Sequence, residues 1–223
     1  MPRIITKTLF LTRRARAAGV RKINVTVVKN VYFFIAPPIS KMKVILVGEA
    51  NSGKSSLLMR FLRDRFDSSV PTVAPECASR TIEAQSSLVK LCMWDIAGQE
   101  RFRSVAKSYY RNADAALLVC CNRASFAALP YWLRELQQAQ PAGVEPRLIL
   151  LFNKCDEPAQ VDDAEIALFC ARHNVERWYR VSAKTGERVQ EAFRYLAESL
   201  RPEAEADQPS LEQAPPRRWC SIL

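Results

Sequence analysis

The sequence holds a single histidine, His173, and no Cys-x-x-Cys pair, so the usual ligand pairs of a structural zinc site are missing. Only six of its 223 residues are glycine, which excludes collagen-like and glycine-rich architectures. No uncharged apolar run approaches the ~20 residues that span a bilayer. The longest, residues 31–39, is too short and is broken by Pro37-Pro38. Acidic residues are absent before residue 44, where ten of the 33 Lys/Arg lie. The other 23 basic residues are matched by 23 acidic ones, so the net charge of +10 belongs to the N-terminal segment. The body of the chain has no surplus of cations for a phosphate backbone, and no nucleic-acid partner is expected.

Hydrophobic residues make up 48% of the chain, enough for a full core. The cysteines number seven, an odd count. Most sit in apolar runs as small hydrophobes, which fits a reducing compartment. Residues 1–41 show no clear periodicity and leave three readings open. They are a transit peptide short of serine, a disordered basic arm, or a stretch outside the mature protein, because Met42 stands directly before the first expected strand. From residue 43 strands and helices alternate. Strands are expected at 44–47, 80–83, 88–94, 115–121, 147–152 and 178–181. Helices are expected at 55–65, 126–138, 163–173 and 187–200, and residues 67–79 read as loop. Strands apolar on both faces, alternating with helices, define an α/β fold with a mostly parallel six-stranded sheet and helices on both faces. Residues 42–200 form this single domain. Residues 201–223 are polar, dotted with proline and expected to be disordered.

Gly48-Glu49-Ala50-Asn51-Ser52-Gly53-Lys54-Ser55, continued by Ser56, has the spacing of a phosphate-binding loop, with a strand before it and a helix after it. Gly48 lets the chain leave the strand sharply, and Gly53 admits an anion close to the backbone. The loop N–H groups and the helix N-terminus then wrap a phosphate, Lys54 adds a point charge, and the Ser55 hydroxyl suits Mg2+. This loop alone leaves adenine and guanine nucleotides open. Asn153-Lys154-Cys155-Asp156 follows a buried strand, where Asp156 can accept from the ring N–H and exocyclic amine of guanine. Adenine lacks that donor pair and would leave buried polar groups unpaired. Asn153 can tie the base loop to the phosphate loop, the Lys154 stem can cover one base face, and Phe66 the other. Alone, this stretch also fits a polar turn at a strand end. It gains support from Ser182-Ala183-Lys184 after the last strand, where the Ala183 N–H is placed to meet the guanine oxo group.

With Trp94-Asp95-Ile96-Ala97-Gly98-Gln99-Glu100-Arg101-Phe102 and Tyr109-Tyr110-Arg111-Asn112-Ala113, these stretches resemble the Ras superfamily of small GTPases, and most of all the Rab family, over residues 42–200. The resemblance implies a P-loop GTPase domain that binds GTP and GDP with Mg2+, hydrolyses GTP slowly, and switches vesicle traffic. It implies that Asp95 holds Mg2+ through water, that the Gly98 N–H touches the γ-phosphate, and that Gln99 orients the attacking water. Thr72 is the matching Mg2+ and γ-phosphate threonine of the first switch. Around it the chain departs from the pattern: the interval from Phe66 is one residue short, the glycine usual after the threonine is either Ala74 or missing, and the effector aromatic is absent. Ile96 replaces a usual threonine, and Cys121-Asn122 an acidic residue and a longer loop. Implied partners are an exchange factor, a GTPase-activating protein, effectors at residues 67–80 and 96–112, and a chaperone for prenylated Rab proteins.

Cys220-Ser221-Ile222-Leu223 fits a prenylation box whose final leucine points to geranylgeranylation of Cys220. The expected location is the cytoplasm and the cytoplasmic face of endomembranes. One lipid usually needs a second signal, and Arg217-Arg218-Trp219 is a weak one. Two other readings stand beside the switch. One is a guanine-nucleotide-binding scaffold that does not cycle, suggested by the unusual first switch. The other is an imported organellar GTPase, suggested by residues 1–41 and opposed by the prenylation box.

Overall fold

The computed structural model describes residues 24–28, 31–35, 39–66, 75–84, 87–96 and 108–200. Its first elements, β1 (Asn24–Val28) and β2 (Val31–Ile35), pair antiparallel as a separate two-stranded sheet. No regular structure is expected there from the sequence. The second is a continuous apolar run with no period-two signal, and the first alternates over only five residues, too few to stand out.

The main sheet starts with β3 (Ile39–Val47), five residues before the strand read from the sequence. Ile39–Lys43 pairs in parallel with Leu88–Cys92, which places Met42 inside the strand, opposite Leu91. This extension is held by ladder hydrogen bonds and has no fully buried residue, so apolar patterning does not reveal it. Helix α1 (Lys54–Arg63) follows and buries Leu57, Leu58 and Phe61. Strand β4 (Glu76–Ala84) pairs antiparallel with β5 (Ser87–Asp95), beginning with Glu76 opposite Asp95. It therefore takes in residues 76–79, read from the sequence as loop. As an edge strand it buries only Ala84 and shows no apolar alternation.

Strand β6 (Ala115–Cys120) is buried at every position, as is β7 (Arg147–Phe152) beyond its first residue. Between them the single expected helix is two. Asn122 caps α2 (Arg123–Ala127) through a reciprocal box with Ser125, and α3 (Leu129–Ala139) opens with Pro130 in its first turn. Proline has no N–H to continue a helix, and it suits a helix start. Helix α4 (Asp163–Arg172), strand β8 (Arg177–Arg180) and helix α5 (Val189–Ser199) complete the domain.

The sheet order is β4-β5-β3-β6-β7-β8, antiparallel only at β4–β5. Alternate residues of the central strands face opposite layers. Val44 and Leu46 join α1 and α5, while Ile45 and Val47 join α2, α3 and α4. Both faces are therefore covered, which a parallel sheet requires. In the first layer Phe61 and Phe193 stack with centroids 4.0 Å apart, and the Arg80 guanidinium lies 4.7 Å from the Phe61 ring. Truncation of Phe193 to alanine is expected to destabilise the domain by about 3–5 kcal/mol, read as a lower urea midpoint with an unchanged slope.

Candidate functional site

Register brings the carboxyl ends of β3, β6, β7 and β8 to one edge of the sheet: Val47 lies beside Leu118, Cys120 beside Phe152, and Phe152 beside Arg180. The chain leaves β3 toward β4 and β5 on one side, and β6 lies on the other. Open α/β sheets bind ligands in the crevice at such a reversal.

The phosphate loop leaves β3 at Gly48, whose φ is 147° and where a Cβ would stand 2.1 Å from the Val119 carbonyl oxygen. Gly53, with φ of 91°, meets Asn153 as closely: a Cβ would fall 2.1 Å from Asn153 Nδ2. No side chain caps α1, and its first turn holds no acidic residue, so its leading N–H groups face an anion unopposed. Lys54 is buried and donates to the carbonyls of Gly48 at 2.9 Å and Glu49 at 2.8 Å. Burial pulls its ammonium pKa down to about 8, and the negative charges of Asp95 and Glu49 work against that fall. Ser52 and Ser56 are buried, Ala50 and Asn51 exposed, and Asn51 takes a positive φ of 61°.

Asn153 is 1% exposed and joins the two halves of the site. Its Nδ2 donates to the Ser52 carbonyl at 2.9 Å, and its Oδ1 accepts from the Ala183 N–H at 3.1 Å. The Ala183 N–H is also the donor that the sequence reading offers to a guanine oxo group. The Ala183 donor meets Asn153, fixed by its own bond to Ser52, so a base oxo group would compete for it. Asp156 accepts from the Ser182 hydroxyl at 2.6 Å, with Lys184 Nζ 3.6 Å from its other oxygen. The Ser182 bond first, then the backbone bond and the Lys184 charge, hold this carboxyl below the ordinary 3.8 against a desolvation that raises it. Lys154 sits at φ 61°, and Phe66 is 44% exposed beyond α1.

Sequence reasoning missed Arg60. From α1 its Nε donates to the Ala183 carbonyl at 2.8 Å and its Nη2 to the Lys184 carbonyl at 2.7 Å. Its Nη1 reaches Asp64. This fork ties the helix behind the phosphate loop to the loop after β8. No sequence signal marks it, because its partners lie more than 120 residues away.

The Ser55 hydroxyl donates to an Asp95 carboxylate oxygen, which puts two hard oxygens side by side at the N-terminus of α1. That donor pair fits Mg2+, which takes one or two protein oxygens and fills its octahedron with phosphate and water. Among the described residues no group of three or more His, Cys, Asp or Glu could hold a metal. Thr72, Gly98, Gln99 and Cys220 lie outside the described residues, as do the segments 67–74 and 97–107.

A phosphate loop, a carboxylate at the next-but-one strand end and a shared asparagine define a phosphate-loop nucleotide-binding protein. The family model of the Ras family matches residues 43–202. Ras-related protein Rab-13 of Canis lupus familiaris is 35% identical over 162 residues, covering 71% of this chain and 79% of the relative. GTP-binding protein ypt4 of Schizosaccharomyces pombe is 38% identical over 161 residues, 68% of each. Ras-related protein Rab-4A of Danio rerio is 40% identical over 163 residues, covering 71% and 75%. The chain belongs to the Ras family, in its Rab branch. It is a small GTPase of vesicle trafficking that binds GTP and GDP with Mg2+ and hydrolyses GTP. Its partners are exchange factors, activating proteins and effectors, and its work is membrane-associated. Among the described residues no helix is long and apolar enough to cross a membrane.

Removing the Asn153 side chain leaves the Ser52 carbonyl and the Ala183 N–H unpaired, and each buried orphan costs about 1–3 kcal/mol. Asn153→Ala is therefore expected to weaken GDP binding at least about tenfold by titration calorimetry. Asp156 has a depressed folded pKa, so its contribution to stability is present above the unfolded value of about 4 and is lost as pH falls through the lower folded value. Carbon-13 carboxyl shifts should show Asp156 titrating below 3.8, and Ser182→Ala should move that titration upward.

Proposed function

We propose that residues 42–200 run the nucleotide cycle, with residues 1–41 as an N-terminal extension and residues 201–223 as a tail linking the domain to a lipid at Cys220. Gly48 to Ser56 wrap the phosphates, and Lys54 lies against the β- and γ-phosphates. Asn153, Lys154, Asp156, Ser182, Ala183 and Lys184 read guanine, with Phe66 over the base. Ser55 and Thr72 would hold Mg2+, with Asp95 acting on it through water. The metal, when bound, neutralises charge on the phosphate oxygens. Gln99 orients a water for attack on the γ-phosphorus, and the Gly98 N–H faces a γ-phosphate oxygen. The new bond joins the water oxygen to phosphorus, the bond from phosphorus to the bridging oxygen breaks, GDP leaves with the electron pair, and a water proton ends on the released phosphate.

The observation that supports this reading most is Asn153, which holds Ser52 of the phosphate loop and Ala183 of the base loop at once. A pocket built from both loops fits one ligand with phosphates at one end and a base at the other. Effectors engage residues 67–80 and 96–112. Geranylgeranylated Cys220, delivered by a prenylated-Rab chaperone, holds the chain on the cytoplasmic face of endomembranes. A scaffold that binds guanine nucleotide without cycling is the second reading, favoured by the irregular first switch around Thr72, which lacks the effector aromatic.

Chromatography of the nucleotide released on denaturing the purified chain tests the choice. Stoichiometric GDP is the outcome expected of a cycling GTPase. Bound GTP alone would favour the scaffold, and an adenine nucleotide would overturn the role given to Asp156.

A further inference from the structure

Glu49 is an anion inside a loop that receives anions. It stands between Gly48 and Ala50, is half-buried, and places its charge where Lys54 feels it. Its backbone belongs to the cradle: the Glu49 carbonyl accepts from Lys54 Nζ at 2.8 Å and from the Ser52 N–H at 3.4 Å. Its carboxylate turns away, where Oε1 accepts from the indole Nε1–H of Trp132 at 3.1 Å. Trp132 stands on α3, 3% exposed, in the core with Leu129, Leu133 and Leu136. A ring packed that way holds its one donor in a fixed place.

A carboxylate this near a polyphosphate has two ways to lower its energy. It can pair with Lys54 and consume the cation that the phosphates need, or it can be held elsewhere. The structure has the second arrangement: Lys54 Nζ gives two of its three donors to the carbonyls of Gly48 and Glu49, and the Glu49 carboxylate is bonded to Trp132. We infer that Trp132 is a positioning residue of the phosphate site, whose indole N–H holds the Glu49 carboxylate against α3 and leaves Lys54 to the nucleotide. Without the donor, the freed carboxylate competes with phosphate for Lys54 and repels it. A hydrogen bond to a charged group is strong enough to matter at this scale.

This inference rests on the reading of Gly48–Ser56 as the phosphate site. The test follows release of fluorescent methylanthraniloyl-GDP from the full chain. Trp132→Phe removes the donor. Incorporation of 3-benzothienylalanine at position 132 removes the same N–H, keeps the ring's size, and covers the case in which phenylalanine fails to fold. Either change is expected to speed release about tenfold. In a Glu49→Gln background, where no charge is left to compete, the same change should alter release less than about twofold. Release within about twofold of the parent chain in the Glu49 background, or equal acceleration in both backgrounds, would assign Trp132 to packing and overturn the inference. A parent chain that binds no GDP, in contrast, overturns the nucleotide-site reading and takes this inference with it.

Discussion

The nucleotide site depends on one side chain, Asn153, which spends its donor on Ser52 and its acceptor on Ala183. The two loops proposed to recognise phosphate and base are encoded about a hundred residues apart, and neither fixes the position of the other along the sequence. The parallel sheet brings their strand ends to one edge, but an edge sets position only to within the slack of two loops. A buried amide that satisfies a carbonyl on one side and an N–H on the other removes that slack. The close approach of Gly53 to Asn153 belongs to the same contact, since any side chain at 53 would push the amide away. Arg60 repeats the connection from the outer side, through the carbonyls of Ala183 and Lys184.

Electrostatics then decides what the edge accepts. The uncapped N-terminus of α1 and the buried Lys54 make a cationic hollow, and Lys54 keeps its charge there at the expense of a lowered pKa. Ser55 and Asp95 add two oxygens at its rim. At the other end an ionised Asp156 presents acceptors only. The two ends carry opposite signs, so a ligand with phosphates at one end and an N–H-bearing base at the other has one orientation available.

Much of this is readable in the sequence, for physical reasons. Strands β6 and β7 announce themselves because they are buried on both faces, and the phosphate loop because its glycines must stand where a Cβ does not fit. The start of β3 and the first residues of β4 are silent. They rest on backbone pairing, which has no residue signature of its own. The break between α2 and α3 was visible in Pro130 and in the Asn122/Ser125 box, yet the apolar period runs across it and reads as one helix. Arg60 and Trp132 are silent for a different reason. Each acts on a loop distant in the chain, and an arginine or a tryptophan on a helix looks the same whether it braces a loop or fills a core.

The segments proposed to grip the nucleotide are scattered from Gly48 to Lys184, across most of the domain, and this has a consequence for how the chain tolerates change. A ligand that bridges both ends of a domain binds only when the whole is folded, so its binding energy adds to the folding energy of every element. At a nucleotide concentration a thousandfold above the dissociation constant, that addition is about 4 kcal/mol. Substitutions far from the site that weaken the fold by less are masked while nucleotide is bound, and surface only during exchange, when the site stands empty. Such substitutions are thus exposed in the empty state before they show in the loaded one.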